Sequence, residues 1–196
     1  MKKKLLSLLL VLLMLASLLP ASALAANKTF GDFFAGLPLI AETEPGSPNS
    51  TKKWKVTTLG GEDVLMSGNN GKSSSSSTLQ LTMTADTNLS FEYKVSTEKN
   101  YDKLTITQGS KTLVNGVSGV IDWTRLEIDA KSDDVITIVY KKDSGGNKND
   151  DCVYIRSFAA GAPTIITLHA NNGTDETAPQ NIYCGKGVLN ANTRGA

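Results

Sequence analysis

The chain has 196 residues, with 20 Lys and Arg against 19 Asp and Glu, a formal net charge of +1, 40% hydrophobic and 6% aromatic residues. That balance, with no basic stripe, argues against nucleic acid as a partner. Two cysteines are no disulfide scaffold, and their spacing fits no metal site.

Residues 1–26 read as a secretory signal peptide. Lys2, Lys3 and Lys4 form a positive cluster, Leu5 to Leu19 an uncharged leucine-rich run, and Ala21 to Ala26 a small-residue cleavage region after Pro20. The rival reading, a membrane anchor, needs an apolar run of about 20 residues, longer than this one. Cleavage removes three Lys and no acid, leaving 17 basic and 19 acidic residues, a net charge of −2. No later segment approaches a spanning length, so the mature chain is expected outside the cell, soluble and monomeric. Export permits a disulfide, but Cys152 and Cys184, in different segments, are read as unpaired thiols.

From Lys53 to Phe158 the chain alternates with period two, the signature of half-buried strands. Leu79, Leu81 and Met83 alternate with Thr and Gln; Leu89, Phe91, Tyr93 and Val95 with Ser90, Glu92 and Lys94. Leu104 and Ile106, Leu126 and Ile128, Ile136, Ile138 and Tyr140, then Val153 and Ile155 continue the pattern. Turn signals separate these runs: Gly60-Gly61, Ser67 to Gly71, Asn115-Gly116, Ser132 to Asp134 and Ser144 to Gly146. No helical period is sustained. The fold class is all-β, a two-sheet antiparallel sandwich over residues 27–160. The serine run Ser73 to Ser77 leads directly into a strand, so it is read as a loop within that domain rather than a linker. Ala159 to Pro163 is read as a hinge, followed by one more strand and a polar tail.

The chemistry inventory is thin. His169, the one histidine, ends a strand without a nucleophile beside it, and neither a G-x-S-x-G elbow nor an H-E-x-x-H motif occurs. No carboxylate pair stands out as a glycosidase couple. The sequence gives no positive reason to expect an enzyme. Trp54 and Trp123 are open to two uses, core packing or stacking on a sugar ring. Tyr101 lies in the polar turn Glu98 to Asp102 and is, with Trp123, a candidate ligand-binding residue. The stretch KKDSGGNKNDDCVYI, Lys141 to Ile155, gathers Asp143, Asp150 and Asp151 around Gly and Asn. Such a loop could hold Ca²⁺ through oxygen ligands or be a solvated turn. It is no EF-hand, since counting from Asp143 puts Gly145 at the third position and Tyr154 at the twelfth.

The runs STLQLTMT, FEYKVSTEKNYDKLTI and KKDSGGNKNDDCVYIRSF resemble the jelly-roll domains of bacterial surface proteins, of the cleaved-adhesin and MAM-like kind. There a strand S-F-x-Y-x-V-S-S-E leads to a turn ending Y-D-x-L, and D-D precedes the last strand. TFGDFFAGLP followed by Trp54 matches the way such domains open. The resemblance implies a jelly roll whose first and last strands pair, bringing Asp32 to Asp150 and Asp151 at a Ca²⁺ site. Farther on, TIITLHANNGTDETAPQNIYCGKGVLNANT is similar to the first half of a Listeria–Bacteroides repeat, which implies a partial β-grasp-like unit over residues 161–196. The half that carries the closing aromatics is absent, so a poorly ordered tail is expected. Together these imply a secreted, non-enzymatic adhesion or ligand-binding module at the N-terminus of a larger surface protein, with a host or neighbouring-cell protein or glycan as partner. The alternative is a carbohydrate-binding module of a secreted glycan-degrading enzyme.

Overall fold

The computed structural model describes residues 28–47, 49–161, 164–168 and 180–184, the last two stretches by backbone alone. Numbered in chain order, ten strands form two five-stranded antiparallel sheets. The first runs β1 (Leu39–Thr43), β4 (Ser76–Met83), β9 (Val135–Lys141), β6 (Lys103–Gln108), β7 (Lys111–Val117). The second runs β2 (Lys55–Leu59), β3 (Glu62–Met66), β10 (Cys152–Gly161), β5 (Thr87–Ser96), β8 (Val120–Ala130). Among these ten, only the β2–β3 and β6–β7 connections stay within one sheet; the rest cross between sheets, giving a jelly-roll type of sandwich. A separate hairpin pairs β11 (Thr164–Leu168) with β12 (Gln180–Cys184). The expected signal peptide and most of the tail beyond residue 161, His169 included, lie outside the described residues.

Alternation builds the core. Leu79, Leu81 and Met83 of β4, Ile136, Ile138 and Tyr140 of β9, and Leu104 and Ile106 of β6 point inward from one sheet. Leu65, Leu89, Phe91, Tyr93, Val95, Val153 and Ile155 meet them from the other. Each aliphatic or phenyl side chain removed from water contributes about 1.5–3 kcal/mol. Trp54 is buried in this core, so of its two readings packing is the one observed. At one end a 3-10 turn, Gly31–Phe33, brings Phe34 against Phe158 (ring centroids 4.8 Å apart), which in turn touches Phe91.

Local chemistry sets the turns. Gly60 and Gly61 both have positive φ between the paired Leu59 and Glu62, the two-residue turn that suits strand twist. Asn115-Gly116, expected to be a turn, instead lies inside β7. Leu104 pairs Val117 while Ile106 pairs Val114, so one extra residue bulges, and Gly116 takes φ 58° there.

One expectation is corrected. The first and last strands of the sandwich do not pair: β1 pairs β4, whereas β10 lies between β3 and β5 in the other sheet. The first four residues of β10 are buried on both faces, with Val153 and Ile155 inward and Cys152 and Tyr154 packed outward against Val64, which suits an inner strand. β1, with Ile40 exposed, suits an edge. β10 continues through Ala159 and Ala160, and Gly161 pairs Asn88 beyond an irregularity after Arg156, while Ala162 and Pro163 of the expected hinge lie outside the described residues.

Candidate ligand-binding site

Five connections gather at the end of the sandwich where β9 finishes and β10 begins. They are residues 44–54, 67–75, 97–102, 118–119 and 142–151. Ser77 Oγ donates to the Lys52 carbonyl (2.6 Å), Asn149 Nδ2 to the Thr97 carbonyl (2.7 Å), and Thr97 N to the Gly119 carbonyl (2.9 Å). Gly68 is required where two of these loops touch, because a Cβ there would sit 2.0 Å from the Lys53 carbonyl oxygen.

Inside this end the side chain of Lys142 is completely buried between two carboxylates. Its Nζ donates to Asp151 Oδ1 and to Asn147 Oδ1 (3.0 Å), and lies 3.6 Å from Asp102 Oδ2. The carboxylates are themselves anchored: Asp102 Oδ1 accepts from Asp143 N (3.0 Å) and Asp151 Oδ2 from Gly71 N (2.7 Å). The Tyr140 hydroxyl sits 3.4 Å from both acids. Burial raises the Asp102 carboxyl above the ordinary aspartate range, more than its contacts with Asp143 N and Lys142 lower it. Burial, then the two carboxylates, likewise raise the Tyr140 phenol. The Asp102–Asp151 pair is sealed from solvent, so it is no glycosidase couple, which needs a cleft.

Above this buried layer the surface is open. One depression of about 480 Å³ is lined by Lys52, Ser74, Ser75, Ser76, Lys141, Lys142, Asp143 and Ser144. A second, of about 210 Å³, shares Lys141, Lys142 and Asp143 and is walled by Tyr101 and Lys103. Tyr101 is 58% exposed. Lys103 and Lys141 stand opposite each other in the β6–β9 register. Like charges in that position destabilise a sheet. The ring and the two ammonium groups therefore present an apolar face beside hydrogen-bond donors, an arrangement suited to a ring-shaped polar ligand.

The carboxylates assigned to a Ca²⁺ site do not meet. Asp32 accepts hydrogen bonds from Thr29 N and Thr29 Oγ1 (2.7 Å each), which lower its pKa. Its turn adjoins the Phe158 half of β10, whereas Asp151 precedes the first residue of that strand, about 20 Å away at a strand's rise. The adjacency expected of the first and last strands was what would have joined them. Asp150 is exposed, with its backbone N–H donating to Ser96 Oγ (3.1 Å), while Asp151 is turned inward on Lys142. The position between carboxylates is filled by an ammonium, and among the described residues no group of three or more His, Cys, Asp or Glu has metal-holding geometry.

Trp123, the other candidate platform, lies on the outer face of the second sheet, away from Tyr101. It packs against Val64, Cys152 and Tyr154, and the Arg156 guanidinium covers one ring face at 4.1 Å. Arg156 is held by Glu62 and Glu92. Cys152 is a buried free thiol, pushed up to about 12 by burial; the Cys184 side chain lies outside the described residues.

No protein-family model matches the chain, for the jelly-roll or the repeat resemblance, and no curated protein matches it. Several solved structures are similar, three of them as follows. A secreted serine protease, VesC from Vibrio cholerae, is 16% identical with a TM-score of 0.45 over 57% of this chain and 24% of its own. A family 29 carbohydrate-binding module is 13% identical with a TM-score of 0.33 over 62% of this chain and 80% of its own. A family 4 carbohydrate-binding module is 11% identical with a TM-score of 0.30 over 69% and 91% respectively. The chain thus spans about a quarter of the protease.

Proposed function

We propose that this protein is a secreted, non-enzymatic adhesion module that binds glycans, those bearing carboxylate or sulfate groups before neutral ones. The observation that carries the reading is the exposed Tyr101 ring beside the paired Lys103 and Lys141 over the shared depression. A sugar's C–H face stacks on the phenol ring, and the lysines and Asp143 engage its polar groups. Four lysines line the two depressions, and beside Lys142, whose side chain is buried, Lys52, Lys103 and Lys141 face one carboxylate, Asp143, which favours an anionic ligand. The leader-like residues 1–26 support export.

A glycan array probed with the full chain tests this. Binding to acidic glycans is expected, weakened about tenfold or more (~1.4 kcal/mol) by Tyr101→Ala. Lys103→Gln with Lys141→Gln should abolish the acidic preference. Binding that survives Tyr101→Ala but is lost on Trp123→Ala would move the site to the outer face of the second sheet. No glycan binding at all would remove the reading.

A further inference from the structure

We infer that Lys142 and Asp151 become covalently joined in the folded protein, through an amide between Lys142 Nζ and Asp151 Cγ formed with Asp102 as the proton-transferring group. Three independent features of the site favour this. The nucleophile and the electrophile are both buried and already in contact, Nζ on Asp151 Oδ1. The carboxyl is held in one orientation because its other oxygen accepts from Gly71 N at 2.7 Å. Asp151 itself takes the left-handed region, φ 55°, which Asp adopts more readily than most non-glycine residues. Third, a second buried carboxyl, Asp102, stands 3.6 Å from the same nitrogen, and the Tyr140 hydroxyl bridges the two acids.

In water a lysine and an aspartate do not condense, because both ions are hydrated and water is in vast excess. Here neither condition holds. Intramolecular partners that reach an attacking geometry attain effective molarities on the order of 10⁵ M or more, and the contact of Lys142 Nζ with the Asp151 carboxylate places the pair within a small rotation of one. Two carboxylates and one ammonium leave an excess negative charge in a site without solvent, which is costly. Condensation removes the ammonium and one of those carboxylates, so two fewer ions are held out of water.

The atoms balance without any outside reagent. Asp102 takes a proton from the Lys142 ammonium, freeing the nitrogen lone pair. That pair attacks Asp151 Cγ, and a C–N bond forms. Two of the three ammonium protons pass, by way of Asp102, to one Asp151 oxygen. The C–O bond to that oxygen breaks and it leaves as water, while Asp102 returns to its starting state. The sum is one ammonium and one carboxylate giving one amide and one water.

The placement gives the bond a definite consequence. Lys142 directly follows β9, the middle strand of one sheet, and Asp151 directly precedes β10, the middle strand of the other. The amide would staple the two sheets centre to centre.

The test is the intact mass of the purified full chain under denaturing conditions, beside its Lys142→Arg variant. The expected result is a chain lighter by one water than its processed sequence, with proteolysis yielding one branched peptide that joins Lys142 to Asp151. Lys142→Arg, which keeps the charge, should show full mass, and folded Asp102→Asn should show the bridge in only a minor fraction. A wild-type chain of full mass overturns the proposal, and needs no variant to fold. So does a loss of one ammonia mapping to Asn147, the other group bonded to Lys142 Nζ, or a loss of water mapping elsewhere. A fully bridged Asp102→Asn chain overturns the role given to Asp102.

Discussion

The middle of the sandwich and its loop end are equally dry but are held by different forces. In the middle, Leu81, Ile138 and Val153 are buried without a polar group to satisfy. Their burial is non-directional, and many nearby arrangements would serve. At the loop end Asp102, Lys142 and Asp151 are as deeply buried, but each atom there has a named partner and only one arrangement satisfies them all. The apolar layer supplies stability; the charged layer decides where five loops go. A buried ion cluster is weak support for stability as such, and its service here is to fix the loops that form the surface around Tyr101.

The sharpest way to break this contrast is Lys142→Met, which keeps bulk and removes the charge. Relative to Lys142→Arg, which keeps the charge and likewise forms no amide, it should cost about 3–5 kcal/mol in urea unfolding, because two buried carboxylates are left without a counter-charge. Adding Asp102→Asn and Asp151→Asn to it should recover a large part of that loss. If the triple variant is as unstable as the single one, the cluster contributes stability in its own right.

In the apolar layer, Ile138→Val should cost about 1 kcal/mol, through one lost methyl group and a small cavity. It should leave glycan binding unchanged, where Lys142→Met weakens it. Equal effects of the two variants on binding would mean the loops do not depend on the charged layer.

The smallest effect concerns pH. Folded Asp102 holds its proton to a higher pH than the unfolded chain does, so the folded state binds more protons between the ordinary value of 3.8 and the raised one. Asp102 therefore favours folding fully below that ordinary value, and its contribution is lost as pH rises through the raised one. Exposed Asp32, Asp86 and Asp122, lowered by their hydrogen bonds, act in the opposite sense and lose their contribution as pH falls. The measurement is thus the effect of Asp102→Asn on a parent chain that already carries Lys142→Arg, so that neither forms the amide, in melts from about pH 4 to about pH 7. The variant should gain on the parent as pH rises. A constant difference would place Asp102 at its ordinary value.

Most of the sandwich was legible in the sequence because period-two alternation reports directly on which side chains face the core. Strand order was not, since alternation says nothing about neighbours; the inner position of β10 follows from its being apolar on both faces. The charged layer carried a signal of the same kind. Asp102 continues the inward phase of Leu104 and Ile106, Lys142 that of Ile136, Ile138 and Tyr140, and Asp151 that of Val153 and Ile155. Each lies one inward step beyond a strand end, where the polar residue type suggests solvent and the phase says core. Phase was the better guide. Tyr101, one residue before Asp102, falls on the opposite phase and is exposed as that parity requires.

The inner position of β10 also determines how this domain would carry a load. Tyr101 is at one end of the sandwich, and the chain leaves β10 at Gly161, at the other. A ligand held at the first end and tension applied beyond the second pull nearly parallel to the strands. β10 is bonded along one edge to β3 and along the other to β5. Under that pull its ladders are sheared, and their bonds must fail together, rather than being peeled open one pair at a time as at a sheet edge. The geometry is that of a lap joint.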